Sequence, residues 1–279
     1  VPEGHSIHRL ARRHATLLAG RTVSASSPQG RFAGGAARLD GRRLLETDAW
    51  GKHLFHRYAS RDTVAGDPLL DAEPWLHVHL GLFGRWRDGH GDPPDPRGAL
   101  RLRLVAGGPG PAWADLRGPT ACELMADAER DLLLARLGPD PLRPDADPSP
   151  ALARITRSRR AVGALLMDQS VVAGIGNVYR AEVLYRHGVD PHRPGRDLDV
   201  VEWAAMWDDL VVLMGAGVRA GRIVTTEPDD RARPHGRPRR ADAHYVYGRA
   251  GLPCRRCGTP VHREEMAART VYWCAVCQA

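Results

Sequence analysis

Apolar side chains recur at three- and four-residue spacing from Ile7 through Leu10, Ala11, Leu17 and Leu18, with His14 on the same face and Gly20 following as a stop. The chain therefore opens on one amphipathic helix. From Arg21 to about Cys122 the rhythm changes to short alternating runs, such as WLHVHL at 75–80 and LRLRLV at 100–105, broken by Gly- and Pro-rich stretches including GDPPDPRG. Alternation with such breaks predicts an antiparallel sandwich or barrel. Helical spacing returns near Met125 and runs to about Gly217, interrupted by LGPDPLRPDADPSP at 137–150, which reads as a linker between domains. The polar segment EPDDRARPHGRPRRAD at 227–242 has no apolar face to bury and reads as a mobile loop. The expected architecture is α+β and multidomain, divided at 1–124, 125–242 and 243–279.

Composition narrows the class. At 279 residues and 43% hydrophobic the chain can bury more than one core. No stretch approaches eighteen consecutive apolar residues, and Glu3, His5, His8 and Arg9 leave no room for a secretory core, so a cytoplasmic protein is expected. The formal charge of +7 points to an acidic partner, nucleic acid before a bilayer, although an Arg-rich solvated surface has the same composition. Lys52 is the single lysine among 40 basic residues. Only an ammonium is compact enough for a tight site and able to lose its proton, which makes Lys52 a functional candidate, with a tolerated surface lysine as the alternative.

Three constellations carry chemistry. Cys254 and Cys257 form one CxxC and Cys274 and Cys277 another, the spacing of a tetrahedral structural zinc site on a β-hairpin. With four protein ligands the metal has no open position, so it would fold the segment and hold Arg269, with Arg255, Arg256 and Arg263, as a rigid basic finger. The alternative for Arg269 is a solvated charge. At the other end stands Val1-Pro2-Glu3-Gly4. If Val1 is a removed initiator, Pro2 has a free secondary amine, which titrates at about 8 against about 10.4 for lysine and can form an imine. Glu3 beside it would serve as general acid. Finally, GIGNVY at 174–179 lies between helical stretches and reads as a helix-turn-helix corner, its glycines letting backbone approach a phosphate and Asn177 either donating to that phosphate or only capping the next helix.

These features resemble the formamidopyrimidine-DNA glycosylase and endonuclease VIII (Fpg/Nei) family. The matching segments run in order along nearly the whole chain: PEG at 2–4, GKHLF at 51–55, HLGLFGRW at 79–86, ADLRGP at 114–119, LGPDPL at 137–142, LLMDQSVVAGIGNVYRAEVL at 165–184, YVYGRAGLPCRRCGTPV at 245–261 and RTVYWCAVCQ at 269–278. The resemblance implies an N-terminal helix plus catalytic β-sandwich, a helix-two-turn-helix DNA-binding domain and a four-cysteine zinc finger with one structural zinc ion. It implies a bifunctional glycosylase/AP lyase of base excision repair: Pro2 forms a Schiff base with C1′ of the damaged nucleotide, Glu3 protonates the sugar ring oxygen, and β,δ-elimination cuts the strand. Lys52, Asn177 and Arg269 would grip phosphates, while Leu82 and Arg117 would fill the gap left by the flipped base. Damaged DNA is the implied partner, and a monomer is expected.

Two departures stand out. Gly118-Pro119 follows Arg117 where many members carry an aromatic, and core packing is the alternative for Leu82. Ser6 stands where both branches often have a second glutamate. PEG, LLMDQ and YWC lean toward the endonuclease VIII branch and oxidised pyrimidines. The alternatives are a catalytically silent damage binder, or the same chemistry with preference for 8-oxoguanine and formamidopyrimidines. Cys122 reads as a small core residue.

Overall fold

A computed structural model describes residues 2–59, 74–108 and 110–279; Val1, and with it the initiator reading, lies outside them. Contacts gather these residues into two compact units, Pro2 with Ile7–Arg136 and Glu3–Ser6 with Leu137–Ala279. No helix among the described residues is long and apolar enough to cross a membrane.

In the first unit, helix α1 (Gly4–Leu18) is followed by β1 (Thr22–Ser26), α2 (Ala33–Leu39), β2 (Arg42–Trp50), β3 (His53–Tyr58), β4 (Trp75–His79), β5 (Arg85–His90), β6 (Leu100–Ala106), β7 (Ala112–Arg117) and β8 (Ala121–Met125). All pairings are antiparallel, in the order β5-β7-β6-β1-β2-β3-β4-β8, with β1 and β2 joining the two layers of a sandwich. Ile7, Leu17 and Leu18 of α1 pack with Leu44, Leu54, Val78, Leu102, Leu104 and Leu116 from both layers, and Cys122 packs at the edge of this core as its reading implied. Helix α2, set inside the alternating region, is an element the pattern misses: seven residues rich in Ala and Gly show too little periodicity. A short helix α3 (Asp127–Leu134) closes the unit, Asp127 accepting from the Trp75 indole at 2.7 Å.

The second unit contains α4 (Ser149–Thr156), α5 (Val162–Leu165), α6 (Asn177–Arg186) and α7 (Val200–Ala220). Asp199 caps α7 by accepting from Val201 N and Glu202 N, and Gly221 ends it with φ of 68°. Trp203, Met206, Trp207, Leu210 and Met214 of α7 bury one face against Tyr179, Val183 and Leu184 of α6. The Pro-rich stretch at 137–150 does not behave as a linker. Gly138 N donates to Gln169 O at 2.9 Å, Ala173 N donates to Pro139 O at 3.0 Å, and Asp140 is buried with its carboxylate on Leu142 N. Proline removes donors without removing order, and here the stretch is held by backbone bonds to residues near 170.

A third apolar cluster joins Tyr185, Tyr245, Val246, Val261 and Val271 to Cys254 and Cys274. It underlies the C-terminal hairpin of β9 (His262–Met266) and β10 (Arg269–Trp273). Buried Glu182 of α6 fastens this region, its carboxylate accepting from Tyr245 N at 2.7 Å, Val246 N at 2.9 Å and Tyr247 N at 2.8 Å. The segment at 227–242, which reads from sequence as a mobile loop, is held towards both ends, by Tyr245 OH donating to Asp230 at 2.5 Å, Arg222 donating to Pro238 O at 2.8 Å and Thr226 Oγ1 donating to Asp242 O at 2.6 Å.

Candidate active site

The N-terminal motif and the glycine corner meet within the second unit. Glu3, buried at 1% exposure, places its carboxylate on the first backbone N–H groups of α6: Val178 N donates to Oε1 at 2.8 Å, and Gly176 N and Tyr179 N donate to Oε2 at 3.1 and 3.4 Å. A helix start presents unpaired donors and partial positive charge, so it is a natural seat for an anion. Here the anion is the protein's own. Gly4 N donates to Gly174 O at 2.8 Å, locking the adjoining backbone. The glycines make this approach possible: a Cβ on Gly176 would lie 2.4 Å from Glu3 Cδ, and one on Gly4 would lie 2.9 Å from Gly174 Cα. Gly176→Ala is accordingly expected to push the carboxylate off its donors and slow the step that Glu3 assists, read in single-turnover kinetics, about a hundredfold, the scale of a 1 Å misplacement. A wild-type rate in that variant would detach the glycine from the site.

Asn177 is not the cap of α6; Gly176 holds that position, and Glu3 supplies the capping acceptor. The Asn177 amide instead donates to Thr270 O at 2.8 Å and its Oδ1 accepts from Arg180. Arg180, fully buried, reaches on to Met266 O at 3.2 Å and Thr270 O at 3.3 Å. Burial lowers its pKa to about 10, the positive charge of Arg269 adding to this and the charge of Glu3 opposing it. Glu3, Asn177, Arg180 and Arg269 thus belong to one electrostatic neighbourhood. Pattern reading missed Arg180, whose only signal is its place one turn after Asn177 on the same helix face.

Arg269 is exposed and begins β10, directly after the two-residue turn Ala267-Ala268, where φ is 54° and 56°. Left-handed backbone at two consecutive alanines is strained and persists only where surroundings enforce it. Enforcement comes from Arg180 on Met266 O and from the zinc-type base below. The four cysteine sulfurs lie within 4.8 Å of one another, Cys254 to Cys277 at 3.8 Å and Cys257 to Cys274 at 3.4 Å. Zinc–sulfur bonds of about 2.3 Å in a tetrahedron require sulfurs roughly 3.8 Å apart, so the donor set fits one structural zinc ion. Tyr185 OH lies 3.0 Å from Cys254 Sγ, an outer contact that orients the ligand.

The first unit carries the remaining candidates. Pro2 is half-buried and precedes α1. Lys52 sits in the two-residue turn between β2 and β3, beside Gly51 at φ of 58°. Next to it His53 Nδ1 lies 2.8 Å from His77 Nε2, and His77 Nδ1 lies 2.9 Å from Glu123 Oε1. Burial, then His77, His79 and Lys52, lower the His53 pKa to about 3, so this ring is neutral and fastens the turn without adding charge. Leu82 is 45% exposed and its neighbour Phe83 is 84% exposed, which removes core packing as the account of Leu82. Both stand on the turn between β4 and β5, whose close approach to Thr120 and Leu80 only glycine permits at 81 and 84, where a Cβ would lie 1.9 Å from Thr120 Oγ1 and 2.2 Å from Leu80 O. Arg117 is half-buried, its guanidinium 3.2 Å from the buried Asp115 carboxylate. Ser6 Oγ donates to Glu3 O at 2.8 Å, a local helix-start bond.

Known proteins match along the chain. Residues 1–122 match the formamidopyrimidine-DNA glycosylase N-terminal domain, 137–229 the formamidopyrimidine-DNA glycosylase H2TH domain, and 251–279 the zinc finger found in FPG and IleRS. Endonuclease 8 1 of Mycobacterium tuberculosis (strain ATCC 25618 / H37Rv) is 52% identical over 283 residues, covering 100% of both chains. The formamidopyrimidine-DNA glycosylase of Geobacillus kaustophilus is 38% identical over 271 residues, 95% of this chain and 84% of that one. Among solved structures, the MutM (Fpg) protein of Thermus thermophilus has a TM-score of 0.73 at 29% identity, covering 99% of this chain and 98% of that chain.

Proposed function

The chain belongs to the formamidopyrimidine-DNA glycosylase and endonuclease VIII family, and from that premise we propose that it excises oxidised pyrimidines from DNA through an imine formed by Pro2. It is a DNA glycosylase/AP lyase for oxidised bases. The branch follows the higher identity, 52% to an endonuclease VIII against 38% to a formamidopyrimidine-DNA glycosylase.

The observation that carries the mechanism is the seat of Glu3. One peptide bond from Pro2, its carboxylate is held by three backbone N–H groups of α6. Each carboxylate oxygen has two lone-pair sites, so the cradle leaves room for a proton in transit. In the reading we favour, the lone pair of the Pro2 amine forms a bond to C1′ while the glycosidic bond breaks toward the base, which departs with the proton that the Pro2 nitrogen gives up. The ring oxygen takes a proton delivered through Glu3, the sugar opens, and a Pro2 iminium remains. Loss of a proton from the adjoining carbon then expels the 3′ phosphate, and a second elimination expels the 5′ phosphate.

Binding divides by chemistry. Lys52 and Arg269 supply charge to phosphates, and Asn177 adds its second amide hydrogen while tying the Arg269 hairpin to α6. Leu82, with Phe83 beside it, enters the base stack, and Phe83 supplies from a neighbouring turn the aromatic surface missing after Arg117. The domains we assign to these tasks are 1–124, 125–242 and 243–279.

The test is borohydride trapping on duplexes carrying an abasic site, an oxidised thymine or 8-oxoguanine. We expect a covalent adduct whose peptide mass maps to Pro2, with more adduct on oxidised thymine than on 8-oxoguanine. No adduct on any duplex, from protein whose mass confirms a free Pro2, would leave a silent damage binder.

A further inference from the structure

The turn bearing Leu82 and Phe83 has two flanks within the first unit. On one flank β4 ends at His79, paired with His53 beside Lys52. On the other, β5 begins the opposite layer, and there a cleft of about 680 Å³ is lined by Phe83, Arg85, Arg87, Asp95, Arg97 and Arg117. Its floor is the outer face of β5 and β7. Arg85 and Arg87 are exposed on alternate positions, with Trp86 turned into the core between them.

The cleft carries an excess of positive charge. Asp115, fully buried beneath it, is taken by Arg103 at 2.8 and 2.9 Å and by Arg117 at 3.2 Å. Arg103 also donates to Pro94 O at 2.6 Å and Arg117 to Arg97 O at 3.4 Å, which fasten the rim over the floor. Among the described residues no carboxylate lies within ion-pair distance of Arg85, Arg87 or Arg97, and Asp95 is the single acid in the lining. Three guanidinium groups lining one cleft, none of them ion-paired among the described residues, suit phosphodiester oxygens, which they bind in bidentate fashion.

We propose that this cleft holds the phosphodiester backbone of the strand opposite the damaged one. A side chain entering a duplex has one strand on each side. With Lys52 on the flank that grips the damaged strand, the arginine cleft on the other flank meets its complement. This rests on the DNA glycosylase reading above, and it adds a contact that acts only on duplex.

The experiment measures affinity for an uncleavable abasic-analogue duplex in which single linkages of the complementary strand are replaced, one at a time, by neutral methylphosphonates. Wild-type protein is expected to lose about tenfold in affinity at one or two adjacent linkages, the scale of one charge-assisted contact. The triple variant Arg85→Gln, Arg87→Gln, Arg97→Gln is expected to be indifferent to those linkages, and its salt dependence to be shallower by about 0.9 for each phosphate given up. The scan on wild-type protein stands by itself if the triple variant does not fold. Wild-type affinity unchanged at every complementary linkage, or equal losses in both proteins, overturns the cleft and leaves the glycosylase intact. No binding of the lesion duplex by wild type overturns both.

Discussion

Glu3→Gln is expected to slow base excision about a thousandfold in single-turnover assays, the middle of the range for a positioned proton-transfer group. The substitution keeps shape and changes two things. It removes the charge that faces the start of α6, and it replaces an acceptor oxygen by an NH2 group that must confront either Val178 N or the pair Gly176 N and Tyr179 N. A donor facing a buried donor costs about 1–3 kcal/mol, so a modest fall in thermal stability should accompany the kinetic loss. A substrate whose base is already gone separates the two effects. An abasic sugar opens to its aldehyde by itself, so on an abasic duplex the ring-oxygen protonation assigned to Glu3 is bypassed, and the variant should retain far more of its strand cleavage than of its excision. Equal losses on both substrates would make Glu3 a structural cap alone, and undiminished excision would remove it from the mechanism.

Zinc removal has the second large effect. The hairpin carrying Arg269 rests on a small cluster, Val261 and Val271 against Tyr185, Tyr245 and Val246, too little apolar surface to order it without cross-links. Structural zinc supplies on the order of 10–16 kcal/mol in comparable fingers, and that binding energy is folding energy. Chelation should therefore release the left-handed Ala267-Ala268 turn, disperse Arg269, and weaken lesion-duplex binding at least tenfold, with recovery on adding zinc. Circular dichroism should retain most of the helical signal, because α6 and α7 have their own core around Trp203 and Tyr179. Cys257→Ser should reproduce the loss without chelator. Full affinity in zinc-free protein would show that Arg180 and Glu182 suffice to hold the finger.

Local pattern was enough wherever the physics is local. The spacing of Cys254, Cys257, Cys274 and Cys277 sets two knuckles regardless of the rest of the chain, and it announced both the metal and the hairpin. Alternation predicted the sandwich because strands buried on one face must alternate, and three-four spacing predicted α1 and α7 for the corresponding reason. Lys52 stood out by composition alone. Charge predicted an acidic partner without saying where it binds.

Tertiary structure decided what depends on distant partners. No window of sequence contains both Glu3 and the N–H groups of Val178 and Tyr179, so the reading of Asn177 as a cap and of the glycines as room for a phosphate gave way to a carboxylate already seated there. Arg180 became part of the site only because burial in the second unit aims it at Thr270 and Met266. The stretch at 137–150 looked like a linker by its prolines, yet its carbonyls and N–H groups pair with residues near 170. Leu82 fitted either a core or a protrusion by its letter alone; the tight turn that Gly81 and Gly84 permit leaves it, and Phe83 beside it, exposed. The chain's chemistry was therefore written in residue types and short spacings, whereas its geometry arose where burial brought separate segments together and set buried polar groups such as Glu3 and Arg180 against partners far away in the chain.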